Sequence, residues 1–418
     1  MRAAHYVQRY PPALGGSEAY FARLSQYLAA QNVAVTVFTS NAQDLEAFWS
    51  RHARTLPAGC TQQDGIDIER YPLLRFPGRR YLLKALSLFP NREWRCLMLP
   101  CNPISLKMWN DAKGDNRTFD VVHATALPYA WPIVCALKRA RRLHIPFFVT
   151  PFLHLGDPEN PHDKTRRVYL SPALLYLLQE ADGVFVQTRL EQQALVTAGL
   201  TSEKTHLQGL GVVPAECTGG DRARARLAWH ATEGEVIVGH LANQSYEKGT
   251  IDLLRAAQRA WQAGQRFRLV LAGPAMPNFH AFWQSFEWKQ AVIQLGVLDE
   301  EQKRDFFAGI DIFALPSRSD SFGLVLLEAW ANGCPNLAYR AGGIAEIIHH
   351  ESDGLLALCG SLDQLATELT RLVGDAGLRQ RLGAKGRVRV FTEFDWPSKL
   401  DLVRRVYEEA IEKKKSRE

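Results

Sequence analysis

The sequence predicts an α/β protein with two doubly wound domains, each a parallel sheet covered by helices on both faces. Short β-rich segments alternate with longer amphipathic segments along the chain, and this alternation is typical of βαβ units. The 418 residues are enough for two to three domains of roughly 100–200 residues each. Hydrophobic residues make up 46% of the chain and charged residues 22%, which is the composition of a globular protein and excludes a disordered or collagen-like chain.

The predicted strands are rich in β-branched and aromatic residues and end in polar or glycine-containing turns. They are 3–8, 34–39, 66–71, 121–124, 147–150 and 184–187 in the first half, and 236–240, 269–273, 310–316 and 336–340 in the second. The predicted crossover helices include 17–31, 251–263 and 324–332, each long enough to connect two parallel strands. Segment 75–116 fits this alternation least well.

The boundary between the two domains is predicted near residues 207–222. There a strand-like segment, 207–213, leads into Pro214 and the polar, glycine-containing segment 218–221. The N-terminal domain is therefore expected to span 1–210 and the C-terminal domain 211–396. A last helix, 397–418, is expected to join the N-terminal domain.

The sequence predicts a cytoplasmic protein. No segment reaches the 18 or more apolar residues of a spanning helix, and the first residues lead into a strand without the apolar core of a signal peptide. The seven cysteines are odd in number and include no Cys-x-x-Cys pair. They indicate buried thiols in a reducing compartment, and neither a zinc site nor a disulfide framework.

The net charge of +6 comes from the first half of the chain. Residues 1–210 contain 24 Lys and Arg against 17 Asp and Glu, whereas residues 211–418 contain 26 against 27. This asymmetry indicates that the first half meets an anionic partner, and a solvated basic surface is the alternative. Because no nucleic-acid-binding motif accompanies the basic residues, nucleic acid is not the expected partner.

Segment 75–116 mixes basic and large apolar side chains, among them Arg79, Arg80, Lys84, Phe89 and Trp94. This mixture suits an element at an anionic membrane surface, with cations near lipid phosphates and apolar side chains between headgroups. An amphipathic helix packed on its own domain would have the same composition. The expected location is therefore cytoplasmic, with peripheral attachment to the inner face of the membrane as one option.

Gly15 and Gly16 follow the first predicted strand and open the first long helix. They remove side chains where the backbone turns, and Ser17 is a suitable N-cap residue, so free N–H groups are expected at the helix start. A phosphate or a sugar oxygen would fit there. A glycine turn that only connects strand and helix is the alternative. The Gly-x-Gly-x-x-Gly dinucleotide motif is absent from the sequence.

Segment 316–329 places two acids around a predicted helix start. Asp320 lies in the polar loop before the helix, Gly323 allows close approach, and Glu328 is the one acid within an apolar helix. A buried acid needs a hydrogen-bonding partner, and the paired hydroxyls of a ribose would supply one. The amides of Ser321, Phe322 and Gly323 would face a pyrophosphate, although Glu328 could also face water.

Two further loops add candidate ligands for the same anion. Lys248 precedes the helix that begins near residue 251, and His240 lies at the end of the preceding strand as a helper. A glycine pair, Gly342 and Gly343, follows the next strand and precedes another helix. Lys248 alone would also fit a solvated loop.

The order of the motifs between residues 5 and 354 carries a family resemblance. The matching pieces are HYVQRYPP (5–12) with Gly15-Gly16, DVVH (120–123), GVVP (211–214), Lys248-Gly249, LEAWANGCP (327–335) and GGIAEII (342–348). In these motifs the sequence resembles the retaining glycosyltransferases of family four. The resemblance implies the GT-B fold, in which two Rossmann-like domains face each other across a cleft.

The resemblance also implies roles for the residues of the second half. Glu328 matches the acid that holds the donor ribose, Asp320 matches the acid that contacts the donor hexose, and Lys248 matches the phosphate-binding lysine. His240 falls near the arginine that usually assists this lysine. The sequence departs from the family at these two positions. Asp320 stands in place of the usual Glu, so its carboxylate reaches one methylene less far towards the hexose. His240 stands near the usual arginine and would be only partly charged near neutral pH.

In the first half, His154 best matches the family histidine beside the reacting centre, and His123 ranks second. Asp320 and His154 are therefore the expected catalytic residues. The expected substrate-binding residues are Gly15, Gly16, His123, His240, Lys248, Ser321, Phe322, Gly323, Glu328 and Gly343.

The resulting hypothesis is a retaining, metal-independent hexosyltransferase that uses a nucleotide sugar and no other cofactor. Its acceptor, a lipid-linked or cell-envelope saccharide, would bind to the N-terminal domain, and the nucleotide-sugar donor to the C-terminal domain. A nucleotide-sugar epimerase, which needs no acceptor, is one alternative. A non-catalytic nucleotide-sugar-binding subunit is the other, suggested by Asp320 and His240.

Overall fold

The computed structural model describes residues 1–157, 160 and 162–416. The chain divides into two compact units. Unit 1 is formed by Met1–Leu153, Arg167–Gln208 and the segment that begins at Pro397, and unit 2 by His154–Arg166 and Gly209–Trp396. Each unit contains one sheet of mainly parallel strands with helices packed on it, which confirms the predicted doubly wound α/β class.

The sheet of unit 1 has eight strands in the order β3-β4-β2-β1-β5-β6-β7-β8. All neighbours are parallel except β3 and β4, and the central strands β1, β2 and β5 are buried along almost their whole length. The strands are β1 (Arg2–Val7), β2 (Ala34–Ser40), β3 (Gly59–Gln63), β4 (Ile66–Tyr71), β5 (Val121–Ala124), β6 (Phe147–Val149), β7 (Gly183–Val186) and β8 (Thr205–Leu207). Burial on both faces explains why these segments read as continuous apolar runs.

The α-helices of the first half of the chain lie between residues 16 and 197. They are α1 (Gly16–Ala30), α2 (Arg79–Leu86), α3 (Arg92–Leu97), α4 (Leu106–Gly114), α5 (Ala130–Leu143), α6 (Lys164–Tyr169), α7 (Pro172–Gln179) and α8 (Arg189–Thr197). Helix α5 contributes ten buried residues to the core beside the central strands.

The sheet of unit 2 has six parallel strands in the order β11-β10-β9-β12-β13-β14. The strands are β9 (Ile237–Leu241), β10 (Arg268–Ala272), β11 (Val292–Gly296), β12 (Ile312–Leu315), β13 (Asn336–Arg340) and β14 (Gly354–Leu358). The helices are α9 (Pro214–Cys217), α10 (Arg222–Ala228), α11 (Thr250–Gln262), α12 (Pro277–Ser285), α13 (Glu300–Gly309), α14 (Leu324–Ala331), α15 (Ile344–Ile347), α16 (Leu362–Gly374) and α17 (Ala376–Glu393). One core cluster joins strand residues such as Leu269 and Leu337 to Leu254 of α11 and Leu369 of α16.

The last helix, α18 (Trp396–Lys415), packs on unit 1 through buried Leu400, Val403 and Tyr407. The Tyr407 hydroxyl is hydrogen-bonded to Nδ1 of His123, and the Tyr27 hydroxyl donates to Asp401 at 3.1 Å. These contacts fix α18 to the sheet and to α1 of unit 1 by apolar packing and by hydrogen bonds.

One segment of the predicted N-terminal domain clusters with unit 2. His154–Arg166 lies within the predicted range 1–210 but belongs to unit 2. Its backbone makes a hydrogen bond there, from the Gly342 N–H to the Gly156 carbonyl at 2.8 Å. The position along the chain therefore does not indicate which sheet this segment contacts.

The predicted strand 207–213 is wrong, because β8 ends at Leu207. Gly209 has a φ of +71°, which strand residues do not adopt. A Cβ on Gly211 would lie 2.5 Å from the Phe394 carbonyl oxygen. This stretch therefore runs as an irregular segment held against the end of α17.

Segment 75–116 forms three short helices, α2, α3 and α4, where no βα unit was recognised. Arg79 is not a surface cation as predicted, because it is 2% exposed and its guanidinium donates to the carbonyls of Phe48 and Asn102. Arg80 and Lys84 are exposed. Among the described residues, no helix combines the length and the apolar character needed to cross a membrane.

Candidate functional site

The site in unit 2 lies where the strand order of the sheet reverses. From β9 the chain proceeds outward to β10 and β11, and then returns to β12 on the other side of β9. The loops after β9 and β12 therefore diverge at their carboxyl ends and leave a crevice, which is the usual ligand position in open α/β sheets. Lys248 follows β9 and Asp320 follows β12, so the fold brings these two predicted residues to the crevice.

Glycines allow the loops around this crevice to touch. A Cβ on Gly249 would lie 1.8 Å from the Pro316 carbonyl oxygen, and a Cβ on Gly343 would lie 1.9 Å from the Ser321 carbonyl oxygen. The Gly343 N–H also donates to the Asp320 carbonyl at 2.8 Å. Gly343 therefore acts through its backbone, by packing the loop after β13 against the loop that carries Asp320.

Lys248 and Asp320 form an ion pair. The distance from Lys248 Nζ to Asp320 Oδ2 is 2.6 Å, and both side chains are mostly buried. Burial by itself would raise the pKa of Asp320, but the Lys248 ammonium, together with the other polar groups around the carboxylate such as the Phe322 N–H, holds that pKa below its usual value. Asp320 is therefore ionised at neutral pH.

His154 lies beside this pair. Its Nδ1 is 3.2 Å from the Ser319 carbonyl oxygen, which can only accept, so Nδ1 carries the proton. Burial lowers the pKa of His154, and the nearby Lys248 ammonium lowers it further. His154, Lys248 and Asp320 are thus brought together, with the histidine in its neutral form near neutral pH.

Helix α14 carries Glu328 next to a lysine that the sequence did not single out. Gly323 begins this helix with a φ of +87°, and Leu326, Leu327 and Trp330 bury its opposite face. Glu328 remains on the partly accessible face, and its Oε1 accepts from Lys303 Nζ of α13 at 2.7 Å. The acid within the apolar helix therefore has a partner, as its chemistry requires, and that partner is an ammonium group.

The amides at the start of α14 are placed by the same loop. The Phe322 N–H points to Asp320 Oδ1 at 3.4 Å. Phe322 as a whole is 2% exposed, and its ring packs edge-on against Phe394. The Phe322 side chain therefore belongs to the core, and its backbone N–H is the group that faces the Asp320 carboxylate. Ser321 and Gly323 flank it, and Ser321 is partly accessible.

His240 does not fit the predicted role of an assisting cation. Its side chain is completely buried, with Nδ1 2.8 Å from the Ala314 carbonyl oxygen and Nε2 2.8 Å from Thr250 Oγ1. Burial lowers the pKa of His240 to about 4, so the ring is neutral. It links β9 to β12 and to the start of α11 and thereby supports the loop that holds Lys248.

His123 also lies in a core, in unit 1. Its Nε2 is 2.7 Å from Thr150 Oγ1, its Nδ1 is bonded to Tyr407, and burial lowers its pKa well below the usual value. Because both ring nitrogens bond to protein groups, the structure does not support His123 as a substrate-binding residue. Its role is to join β5, β6 and α18.

Gly15 and Gly16 lie at the strand-order reversal of unit 1, where β1 separates β2 from β5. The predicted N-cap residue is wrong: α1 is capped at Gly15, and the Ser17 hydroxyl donates instead to Glu18 Oε2 at 2.8 Å. The Glu18 carboxylate is itself buried beside Gly15 and pairs with Arg9 at 2.7 Å. The start of this helix therefore already has a carboxylate of its own.

Sequence reasoning missed two basic residues, Lys303 and Arg318. Arg318 lies two positions before Asp320, where its N–H donates to the Glu247 carbonyl at 2.9 Å and its guanidinium pairs with Asp252. It also lies over the Tyr246 ring at 4.3 Å. Arg318 thus fastens the Asp320 loop to the Lys248 loop. The only sign of this residue in the sequence was an arginine between two serines in the polar loop before Asp320.

Within the described part of the chain, no group of three or more His, Cys, Asp and Glu residues is arranged to hold a metal ion. Metal independence stays a prediction. The seven cysteines are free thiols.

Two family models match this chain. One is described as glycosyl transferases group 1 and matches residues 221–389. The other is described as a glycosyl transferase 4-like domain and matches residues 15–211. Together they cover every strand of the two sheets except β1, which precedes residue 15.

Two curated relatives match over most of their own length. The D-inositol 3-phosphate glycosyltransferase of Stackebrandtia nassauensis is 25% identical over 96% of this chain and 88% of that protein. The protein of the same name from Kribbella flavida is 28% identical over 91% of this chain and 88% of that protein.

Solved structures give the same fold. Sucrose-phosphate synthase from Thermosynechococcus elongatus has a TM-score of 0.71 at 21% identity and covers 98% of both chains. Anabaena HepE, solved in complex with UDP-glucose, has a TM-score of 0.71 at 18% identity and covers 98% of this chain and 100% of its own. These likenesses confirm the predicted pair of Rossmann-like α/β domains.

Proposed function

We propose that this chain, which belongs to the group 1 glycosyl transferases, moves a hexose from a nucleotide sugar to an acceptor with retention at the anomeric carbon. Its membership confirms the expected glycosyltransferase activity. The single observation that carries the finer proposal is the crevice of unit 2, where Lys248, Asp320 and His154 meet at the carboxyl ends of β9 and β12.

The donor would bind in this crevice. Lys248 and the Phe322 amide suit the diphosphate, since an ammonium group and a helix start both favour anions. Glu328, held by Lys303, suits a ribose diol, because a carboxylate accepts two hydroxyl hydrogen bonds. Since HepE binds UDP-glucose and UDP, UDP-sugars are the first donors to test.

The protein would contribute to the reaction by positioning the two substrates and by stabilising the charge that develops on the leaving group. Lys248 would stabilise the negative charge that develops on the leaving diphosphate, which is worth most in a water-poor site. In the retaining reaction that we propose, the departing phosphate oxygen helps to take the acceptor proton, so no side chain needs to act as the base. Neutral His154 and ionised Asp320 would orient the hexose.

Donor hydrolysis and transfer test this proposal. Wild-type protein is expected to release UDP from UDP-glucose or a related UDP-sugar slowly without acceptor, and faster when a bacterial lipid extract is added. Proton NMR of the hexose anomeric signal, recorded before mutarotation, is expected to show the configuration of the donor, and added EDTA is expected to leave the rate unchanged. An inverted product, a free epimerised nucleotide sugar, or donor binding without any turnover would contradict the proposal.

A lipid-linked or cell-envelope acceptor is the finer part of the proposal. The apolar patch formed by α2, α3 and the turn between them exposes 83% of Tyr81, 77% of Leu88 and 62% of Phe89. Arg80 and Lys84 are exposed on the same short helix. Cations next to accessible apolar side chains favour an anionic lipid surface.

Sedimentation with vesicles of phosphatidylglycerol and phosphatidylcholine tests this surface. Wild-type protein is expected to pellet with the vesicles, and Arg80→Gln with Lys84→Gln is expected to weaken binding about thirtyfold, at roughly 1 kcal/mol for each cation. Arg79 is left in place because it is buried. Arg381→Gln with Lys385→Gln on α17 removes two exposed cations of unit 2 and is the matched control. Equal pelleting of both double variants would exclude the patch.

A further inference from the structure

We infer that the Asp320 carboxylate takes the place of a donor phosphate in the free protein, and that donor binding exchanges the two anions on Lys248. The inference rests on the proposed function, because it concerns the same crevice. It makes Asp320 the residue that sets the preference for a nucleotide sugar over the nucleoside diphosphate product.

The contacts of Asp320 match those of a phosphate. One carboxylate oxygen is 2.6 Å from Lys248 Nζ, and the other is 3.4 Å from the Phe322 N–H. An ammonium group and an amide at a helix start are the two kinds of donor that bind phosphates in α/β proteins. Asp320 therefore uses the groups that would hold the diphosphate.

A diphosphate cannot share these groups with the carboxylate at no cost. At distances near 4 Å, like charges repel by about 4 kcal/mol at an effective dielectric constant of about 20. The carboxylate must then turn away from Lys248 when the diphosphate arrives. Its backbone stays in place, because the Gly343 N–H holds the Asp320 carbonyl and Arg318 fastens the loop.

The displaced carboxylate has different partners in the donor and in the product. A hexose on the diphosphate offers hydroxyl groups, which can donate to Asp320 and replace the lost ion pair. A nucleoside diphosphate lacks the hexose hydroxyls, since its only hydroxyls are those of the ribose that we place at Glu328, and its terminal phosphate has one more ionisable oxygen. The exchange is therefore favourable for the nucleotide sugar and unfavourable for the product, so the same carboxylate promotes product release.

Isothermal titration calorimetry with UDP and UDP-glucose tests the exchange. Asp320→Asn is expected to bind UDP about tenfold more tightly than wild type, which is the size of coupling typical of groups in direct contact. Its affinity for UDP-glucose is expected to be no higher than that of wild type. Asp320→Ala is a second variant, and thermal unfolding of each shows whether it is folded. Glu247→Gln removes an exposed acid next to Lys248 in sequence and is expected to leave both affinities unchanged.

A double-mutant cycle separates the exchange from simple repulsion between Asp320 and the ligand. In the Lys248→Met background, Asp320→Asn is expected to give less than a twofold gain for UDP, because the contested cation is absent. A tenfold gain in that background, or an unchanged UDP affinity of Asp320→Asn in the wild-type background, would overturn the exchange and leave the proposed function standing. If wild-type protein binds neither UDP nor GDP nor any of their hexose derivatives, the proposed function itself fails.

Discussion

Glu328→Ala is expected to weaken binding of the nucleotide donor about a hundredfold. Two hydrogen bonds from ribose hydroxyls to a carboxylate contribute roughly 1.5–3 kcal/mol each, and part of this is regained by water at a half-accessible site. The change also leaves the Lys303 ammonium without the carboxylate that lies 2.7 Å away. Calorimetric titration with UDP and with UDP-glucose measures the loss, which is expected to be similar for both because they share the ribose.

Glu300→Gln is the control for this variant. Glu300 is the exposed first residue of α13, the helix that carries Lys303, and its loss changes the net charge by the same amount. Glu328→Gln, which keeps one acceptor oxygen, is expected to fall between wild type and Glu328→Ala. Equal donor affinity of Glu328→Ala and Glu300→Gln would remove Glu328 from the ribose site.

Lys248→Met is expected to lower kcat by a factor of about 10²–10³, the loss usually seen when one group that stabilises developing negative charge is removed. The same variant is expected to be less stable, because Asp320 loses its counterion in a mostly buried position. In the wild-type protein, the pKa of Asp320 is lower in the folded state than in the unfolded state. The ion pair therefore stabilises the fold at pH values above the ordinary aspartate pKa, and this contribution is lost as the pH falls through the pKa of folded Asp320. Steady-state kinetics and thermal unfolding at pH 7.5 measure the two effects separately.

Lys248→Met combined with Asp320→Asn separates charge pairing from catalysis. With both charges removed, thermal stability is expected to return most of the way to that of wild type, while turnover stays low because the cation is still missing. Lys248→Arg keeps the positive charge and is expected to retain more activity than Lys248→Met. Full activity of Lys248→Met would show that the diphosphate is stabilised elsewhere.

The sequence predicted the parallel strands well because they are buried on both faces. The segments 66–71, 121–124 and 336–340 agree with β4, β5 and β13 at both ends. The strands that were missed lack such a signal: β3 is a polar edge strand, and β11 is only half-buried. The helices of segment 75–116 are too short for a helical period to be recognised.

The candidate site was predicted in part. The motifs located Lys248, Asp320 and Glu328 because loops after parallel strands meet at one edge of the sheet. Contacts between elements distant in the chain could not be predicted, since Lys303 and Glu328 are brought together only by the packing of α13 and α14. For the same reason, only the family resemblance ranked the partly accessible His154 above His123, and nothing in the sequence showed that the ring nitrogens of His123 and His240 are used inside the two cores.

The interrupted course of unit 1 determines the order in which the chain can fold during synthesis. Its sheet is complete at Leu207, but the residues that cover it, Leu400, Val403 and Tyr407, follow only after the whole of Gly209–Trp396. Domains usually fold as they leave the ribosome, the N-terminal one first. Here unit 2 has all of its sheet and helices before α18 exists, so unit 2 is the first of the two units that can be completed, although its sheet comes second in the sequence. Until α18 arrives, His123 lacks its tyrosine partner and the apolar surface beneath that helix stays open to solvent.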